Sequence, residues 1–202
     1  LTNEWVYMRP SLWPSVLSVI KENLNYRSDL QFFELSMRYE YKENNLPIEK
    51  PTLLIAWTGQ KFREAQGLSE TLFTLFGIPK PFADNEVFYG FLQRERSLRL
   101  GKYGFVGELS QQMRSTMNIS IPVTLLELDF SLLVENANLM RTYIPIPKYP
   151  PIIEDLSFTI IPGTDVGKMI ETLGKQHRLI QSVSLLDSYN NYRTFHITYR
   201  DP

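Results

Sequence analysis

Between Tyr143 and Pro202 the order of local patterns leaves few folds open. Pro145, Pro147, Pro150 and Pro151 hold the first stretch extended, because each ring fixes its own φ and keeps the preceding residue out of the helical region. Leu156, Phe158 and Ile160 then alternate with Ser157 and Thr159, which predicts a strand with one apolar face. Asp165 is placed to cap a helix whose stripe is Val166, Met169, Ile170 and Leu173, closed by Gly174. Two more strand patterns follow, with Val183 and Leu185, then Phe195, Ile197 and Tyr199, on the core side. This βαββ order is the front of a ferredoxin-like unit, which a second helix over the sheet and a fourth strand beside the first would complete. Neither pattern follows Pro202 and position 1 is Leu1, so the expectation is a fragment ending in a truncated unit.

The 202 residues, 43% hydrophobic and 21% charged, suffice for one large or two small globular domains. The net charge of −1, from 21 basic and 22 acidic residues, supplies no global field toward nucleic acid or anionic lipid, so any RNA contact is a local patch. With no cysteine, disulfides, thiolate catalysis and cysteine zinc sites are excluded, and a reducing compartment, by default the cytoplasm, is expected. No apolar run reaches the roughly 20 residues that span a bilayer. No basic flank followed by an apolar segment marks a signal peptide, and no membrane partner is expected.

Ahead of the prolines, helical and strand periods alternate. Ser11 to Leu24 predicts a helix with Leu12, Val16, Val19, Ile20 and Leu24 on one stripe and Pro14 in the first turn. Asp29 to Tyr41 and Thr52 to Trp57 predict strands, the second buried and central. Phe62 to Phe76 predicts a helix facing the core with Phe62, Ala65, Leu72, Leu75 and Phe76, capped by Gly77 and stopped by Pro79. Gly67 inside it suggests close approach of a neighbour. Phe88 to Leu92, Ser97 to Leu100 and Tyr103 to Leu109 read as short antiparallel strands, Gln111 to Thr116 as one or two helical turns, and Pro122 to Phe130 as a strand buried on both faces. Ser131 to Asn138 reads as briefly helical or irregular. The fold class is α+β.

Catalytic material is sparse. His177 and His196 are too few for a histidine metal pair or relay, and capping or solvent-facing roles account for both. Gly101 to Glu108 (GKYGFVGE) lacks the spacing of phosphate-cradling loops and reads as a glycine-turned hairpin. Glu154 and Asp155 alternate onto opposite faces, whereas Glu127 and Asp129 can share one, although no second group is in view to set their protonation. No residue is assigned to catalysis or to a metal. Lys148, Lys175, Arg178, Tyr189, Tyr192, Arg193, His196 and Arg200 collect in the last segment. Thr194, His196, Thr198 and Arg200 are expected to share an open, slightly basic sheet face with Ser157, Thr159 and Ser184. Such a face is either a solvated charged surface or one that pairs cations with phosphates while Tyr or His stacks on an unpaired base.

Several motifs resemble one family in order. Lys148-Tyr149-Pro150 with Asp155-Leu156-Ser157 resembles the K-[FY]-P…R-D-[LI] opening of the anticodon-binding domain in the bacterial phenylalanine–tRNA ligase beta subunit. Val183 to Tyr189 resembles its V-x-L-[FI]-D-x-Y strand, and Phe195 to Arg200 its third strand. Upstream, Met8 to Pro14 resembles M-R-x-S-L-L-P, Phe32 to Leu35 resembles [LI]-F-E-[LIV], Phe62 to Gly67 resembles F-x-x-[LA]-[KQ]-G, and Gly104 to Leu109 resembles [IF]-G-x-[LF]-G-E-[LI]. The sequence departs from the family at Glu154, where arginine is usual, at Ser110 after Glu108-Leu109, and in the short turn Tyr189 to Tyr192. The resemblance implies a class II synthetase-like antiparallel sheet with helices over residues 1–143, catalytically inactive by itself, then a proline-rich linker over 144–151. A truncated ferredoxin-fold anticodon-binding domain would occupy 152–202. It implies an alpha subunit and tRNA as partners in a heterotetramer of two alpha and two beta chains. The intact enzyme would use ATP and magnesium bound elsewhere, with no cofactor in this segment. The tRNA contacts carried by the resemblance and the basic cluster are Lys148, Arg178, Tyr189, Arg193, His196 and Arg200. An amino-acid-sensing ferredoxin-like module fused to an unrelated α+β domain is the alternative.

Overall fold

The structure is a computed structural model describing residues 7–81, 83–84, 89–140, 143 and 145–201. The chain divides into two compact units, Leu1–Arg141 and Thr142–Pro202. Both are α+β with antiparallel sheets.

The first unit runs α1 (Trp13–Asn23), β1 (Gln31–Glu40), β2 (Ile48–Thr58), α2 (Phe62–Leu75), β3 (Ala83–Asp84), β4 (Leu92–Leu100), β5 (Gly104–Leu109), α3 (Gln111–Met117), β6 (Val123–Asp129) and α4 (Phe130–Glu135). Its sheet has the order β1-β2-β6-β5-β4-β3, every described pair antiparallel. Alternation along the strands gives it two apolar faces. Leu54, Ala56, Phe105 and Leu125 meet Leu12 at the N-cap of α1, Val16, Leu17 and Ile20 within it, and Met113 and Met117 of α3. On the other side Trp57, Val106, Leu126 and Leu128 meet Ala65 and Phe73 of α2 and Leu133 of α4. The sheet therefore lies between two helical layers, which accounts for the burial of successive residues Val123–Leu126 in β6.

Several details differ from the sequence expectation. Leu17, not Val19, completes the buried stripe of α1, because 16, 17 and 20 share an arc that 19 leaves. In α2 the buried row is Ala65, Ser69 and Phe73, four residues apart, and Leu75 is exposed. Gly67 admits no neighbour: a Cβ there would meet nothing within 4 Å. Strand β2 starts before Pro51, which is tolerated because pairing with β6 begins only at Thr52↔Asp129, so β2 is still an edge at the proline. The strand predicted from Phe88 begins outside the described residues. Strand β4 runs through the charged segment Gln93–Arg96, where a register shift between Leu92 and Ser97 absorbs the break in apolar alternation.

The glycines of the β4–β5 hairpin serve strand approach. A Cβ on Gly104 would fall 1.9 Å from the Glu127 carbonyl oxygen, and one on Gly107 would fall 2.9 Å from side-chain atoms of Leu92 and Ser97 at the register shift. That shift also brings Arg96 to Glu108, whose buried carboxylate accepts from Nη1 at 3.1 and 2.9 Å. The charge is thereby paired where an unpaired one would be costly.

The second unit runs β7 (Ile152–Thr159), α5 (Val166–Gly174), β8 (Ile180–Tyr189) and β9 (Tyr192–Tyr199), with β9 central in the order β7-β9-β8. Asp165 caps α5, its Oδ1 accepting from the Lys168 amide at 3.1 Å. Helix α5 packs on β8, and on the sheet face bearing Phe195 and Ile197 those two side chains are fully buried. Phe158 meets Phe195 edge-on at 5.7 Å. Among the described residues no helix of this unit covers the opposite face.

Candidate functional site

On that open face the registers Asp155↔His196↔Ser184 and Ser157↔Thr194 place His196 and Thr194 between polar neighbours of both edge strands. Tyr189 pairs with Tyr192 across the two-residue turn Asn190–Asn191, and Asn190 adopts the positive φ of +49° that such a turn needs. Both rings are exposed at one end of the face. The expected cations are scattered. Arg193 alternates onto the Phe195 side and folds back, donating from Nη1 to the Asn190 and Tyr192 carbonyls at 2.8 Å each. Lys148 lies in the extended segment with Nζ 5.6 Å from the Tyr149 ring centre, and Arg178 is exposed in the turn before β8. Arg200 follows β9, its amide donating to the Leu179 carbonyl at 2.8 Å and its Nε buried without a hydrogen-bond partner among the described residues.

The face is less basic than its residues suggested. His196 Nδ1 lies 2.7 Å from Asp155 Oδ1, and Asp187 stands opposite Thr194 on the same side.

A second constellation lies in the first unit, at the polar end of the sheet face that α1 covers. Arg38, Lys50, Thr52, Asp129, Glu127, Phe105 and Arg99 follow one another across β1, β2, β6, β5 and β4 on the same side. They line a cavity of about 580 Å³ that Tyr89, Lys102 and Tyr103 also border. Arg38 donates from Nη1 to Glu40 at 2.7 Å and from Nε to Thr52 Oγ1 at 3.1 Å, and its Nη2 stands 3.9 Å from Asp129. Lys50 pairs with Glu40 at 3.0 Å, and that hydrogen bond, against the opposing effect of burial and with help from Arg38, holds the Glu40 carboxyl below its ordinary value. Glu127 is shifted the other way: burial pushes its carboxyl up, opposed by the charge of Arg38, and Oε2 is shielded from solvent with no hydrogen-bond partner among the described residues. Spacing alone put Glu127 and Asp129 on one face. The basic members come from other strands, so pairing was needed to find them.

Two motifs far apart in sequence meet beside this row. Arg9 Nη2 lies 2.6 Å from both Glu34 Oε1 and Ser36 Oγ, and the Tyr39 amide donates to the Arg9 carbonyl at 2.9 Å. The arginine thus ties the segment before α1 to the edge strand β1.

The fold and these motif contacts define a two-unit α+β protein whose larger sheet is sandwiched by helices and whose smaller one is open on one face. The chain belongs to the phenylalanyl tRNA synthetase beta chain CLM domain family, whose model matches residues 1–130. That match removes the alternative of an unrelated first domain. The phenylalanine–tRNA ligase beta subunit of Syntrophotalea carbinolica is 27% identical over 209 residues, covering 94% of this chain and 26% of the relative. The beta subunit of Geobacter sulfurreducens is 28% identical over 212 residues with the same coverage. The chain therefore spans about a quarter of the length of these curated relatives. A pyrrolysyl tRNA synthetase of Desulfitobacterium hafniense superposes on 62% of this chain and 48% of its own, with 16% identity and a TM-score of 0.49. Among the described residues no helix is long and apolar enough to cross a membrane.

Proposed function

We propose that this chain is a non-catalytic part of a phenylalanine–tRNA ligase beta subunit that serves subunit assembly and tRNA binding. On this reading the alpha subunit joins phenylalanine to tRNA with ATP and magnesium, in a cytoplasmic assembly of two alpha and two beta chains. Residues 1–143 form the class II synthetase-like domain, 144–151 the linker, and 152–202 the front of a ferredoxin-fold anticodon-binding domain. The fit of magnesium to this segment is poor, since no group of three or more His, Cys, Asp or Glu side chains among the described residues is arranged to hold a metal ion. The ion belongs elsewhere in the enzyme on this reading.

The observation that carries the assembly role is the edge strand β1. Phe33, Leu35 and Met37 project on the side away from α1, with exposures of 77%, 49% and 39%, beside the half-buried Leu53 and Ile55. An apolar row of this kind on an edge strand is a liability unless a partner covers it. The bare Ile152 and Leu156 on the α5 side of β7 support the ferredoxin reading in the same way, as the seat of a further helix. For tRNA, Lys148, Arg178, Arg193 and Arg200 are the phosphate contacts and Tyr189 and His196 the stacking candidates.

Co-expression with a bacterial alpha subunit tests the assembly role. The chain is expected to co-purify with it, and Phe33→Asp with Leu35→Asp to abolish capture while leaving the circular dichroism spectrum unchanged. Undiminished capture overturns the assignment of that surface. With four cations against phosphate, log K for tRNA should fall against log salt with a slope of about −3. A flat salt dependence removes the tRNA role.

A further inference from the structure

On the open face of the second sheet one side chain has its chemistry set by a neighbour. His196 lies on the central strand, with Asp155 and Ser184 in register with it on the two edge strands. Its Nδ1 stands 2.7 Å from Asp155 Oδ1. An ionised carboxylate can only accept, so Nδ1 carries the hydrogen of that bond. In the neutral ring Nε2 is then an acceptor, and it has no hydrogen-bond partner among the described residues. The His196 side chain is 35% exposed, which leaves that free edge within reach of a ligand.

The polar groups around it are engaged or carry the wrong charge for phosphate. Ser157 and Thr194 bond each other through their hydroxyls at 2.9 Å, and Asp187 Oδ1 accepts from the Ser188 amide at 2.6 Å. Asp155 and Asp187 place a carboxylate on each edge strand, which repels phosphate from the middle of the face. Ser184 is different, exposed opposite His196 and without a hydrogen bond from its hydroxyl among the described residues. Cross-strand partners have Cβ atoms about 4.5–5.5 Å apart, so one small group can touch both side chains. That group has to donate to Nε2, which a phosphate oxygen cannot do. A ribose 2′-hydroxyl donates to Nε2 and at the same time accepts from the serine hydroxyl.

We propose that His196 Nε2 and Ser184 Oγ hold the 2′-hydroxyl of an unpaired nucleotide, so that this face tells RNA from DNA. Asp155 is the positioning residue, fixing the tautomer that makes Nε2 an acceptor. The inference rests on the tRNA reading and adds to it the group that is read. Cations paired with phosphates, and bases stacked on the exposed rings of Tyr189 and Tyr192, serve RNA and DNA alike. The His196–Ser184 pair is what separates them.

The test is fluorescence anisotropy of the full chain at about pH 8, above the ordinary imidazole value of about 6.5. The probe is a single strand of about 16 nucleotides, made as RNA and as DNA of the same sequence with deoxyuridine for uridine, so that only the 2′-hydroxyls differ. At equal salt the RNA should bind about tenfold more tightly, the effect of two hydrogen bonds. His196→Phe keeps a stacking ring and removes the acceptor, and should bring RNA down to the level of DNA while leaving DNA binding unchanged. Ser184→Ala should lower RNA affinity by about threefold. Asp155→Ala should narrow the RNA-to-DNA ratio, and long-range nitrogen NMR should show the His196 proton on Nδ1 in the native chain and shared between both nitrogens in the variant. Equal, salt-dependent binding of both strands by the native chain overturns this proposal and leaves the tRNA reading standing, whereas no binding of either overturns both. An RNA preference that survives His196→Phe, or a native ring protonated at Nε2 and not at Nδ1, overturns it as well.

Discussion

The two sheets of this molecule solve one problem differently. In the first unit every central strand is buried on both sides, Leu54 and Leu125 facing α1 while Val106, Leu126 and Leu128 face α2 and α4. In the second, among the described residues, one helix covers part of one face, and only Phe195 and Ile197 are fully buried. Stability is spread over many side chains in the one and concentrated in two in the other. The same truncation should therefore be absorbed by the first sheet and lethal to the second.

The largest expected effect tests that contrast. Phe195→Ala should cost about 3–5 kcal/mol and Leu126→Ala about 2–5 kcal/mol, both through lost transfer energy and an unfilled cavity. A unit of about 60 residues has a total stability of only about 3–9 kcal/mol, so the first change consumes most of it. Hydrogen exchange on the full chain should show the amides of β7, β8 and β9 losing protection in Phe195→Ala while those of β2, β5 and β6 keep theirs. Leu126→Ala should lower protection in the first unit without abolishing it. Retained protection in β9 of Phe195→Ala would break the comparison, and would mean that something beyond α5 supports that sheet.

The next effect concerns charge. Glu40 and Glu127 lie near Arg38, yet their carboxyls move in opposite directions because the first is hydrogen-bonded by Lys50 and the second is buried. With its folded pKa raised, Glu127 binds more protons in the native than in the unfolded protein between the two values. Its favourable contribution is complete below the unfolded pKa and is lost as pH rises through the folded one. Glu40 contributes in the reverse sense, present above its unfolded pKa and lost as pH falls through the lowered one. Subtracting the denaturation profile of Glu127→Gln from that of the native chain isolates the first. The native chain should lose about 1–3 kcal/mol relative to the variant as pH rises from below the unfolded carboxyl value through the raised folded one, the cost of an unpaired buried group. A difference that stays flat with pH would show that the carboxyl is better solvated than its position implies.

How much of this was legible in the sequence follows from how local each signal is. The βαββ order, the cap at Asp165 and the side of the sheet taken by Phe195 and Ile197 rest on near neighbours, and the structure shows them where periodicity puts them. The stripe of α1 was off by the difference between Val19 and Leu17, because two apolar residues compete for the edge of the arc and only the partner sheet decides. Strand β4 was cut short because its charged middle lies at a register shift, a feature of the pairing and not of the strand. The cavity was the least legible part. Glu127 and Asp129 show their shared face at a spacing of two, but Arg38, Lys50 and Arg99 reach them from three other strands that adjacency in sequence does not connect. The charge of the open face was misjudged for a similar reason, since Asp155 faces His196 only once β7 is paired with β9.

The smallest effect returns to the two units through a pair of matched caps. Ser110 caps α3 with a 3.2 Å bond from the Met113 amide, and Asp165 caps α5 with a 3.1 Å bond from the Lys168 amide. Replacing either by alanine leaves one helix-end donor unsatisfied and costs about 1 kcal/mol. Equal energies need not give equal shifts in melting temperature, because the unfolding entropy grows with the size of the cooperative unit. About 1 kcal/mol moves Tm by about 4–8 °C in a domain of 60–100 residues and by about 2–4 °C in one of 150–250 residues. The second unit falls in the lower size class and the first approaches the higher. Differential scanning calorimetry of the full chain should thus show Asp165→Ala lowering one transition by about 4–8 °C, and Ser110→Ala lowering another by roughly half as much. A single transition moved equally by both would mean that the chain unfolds as one cooperative body. The contrast between a distributed and a concentrated core would then describe the packing of the two sheets but not their stability.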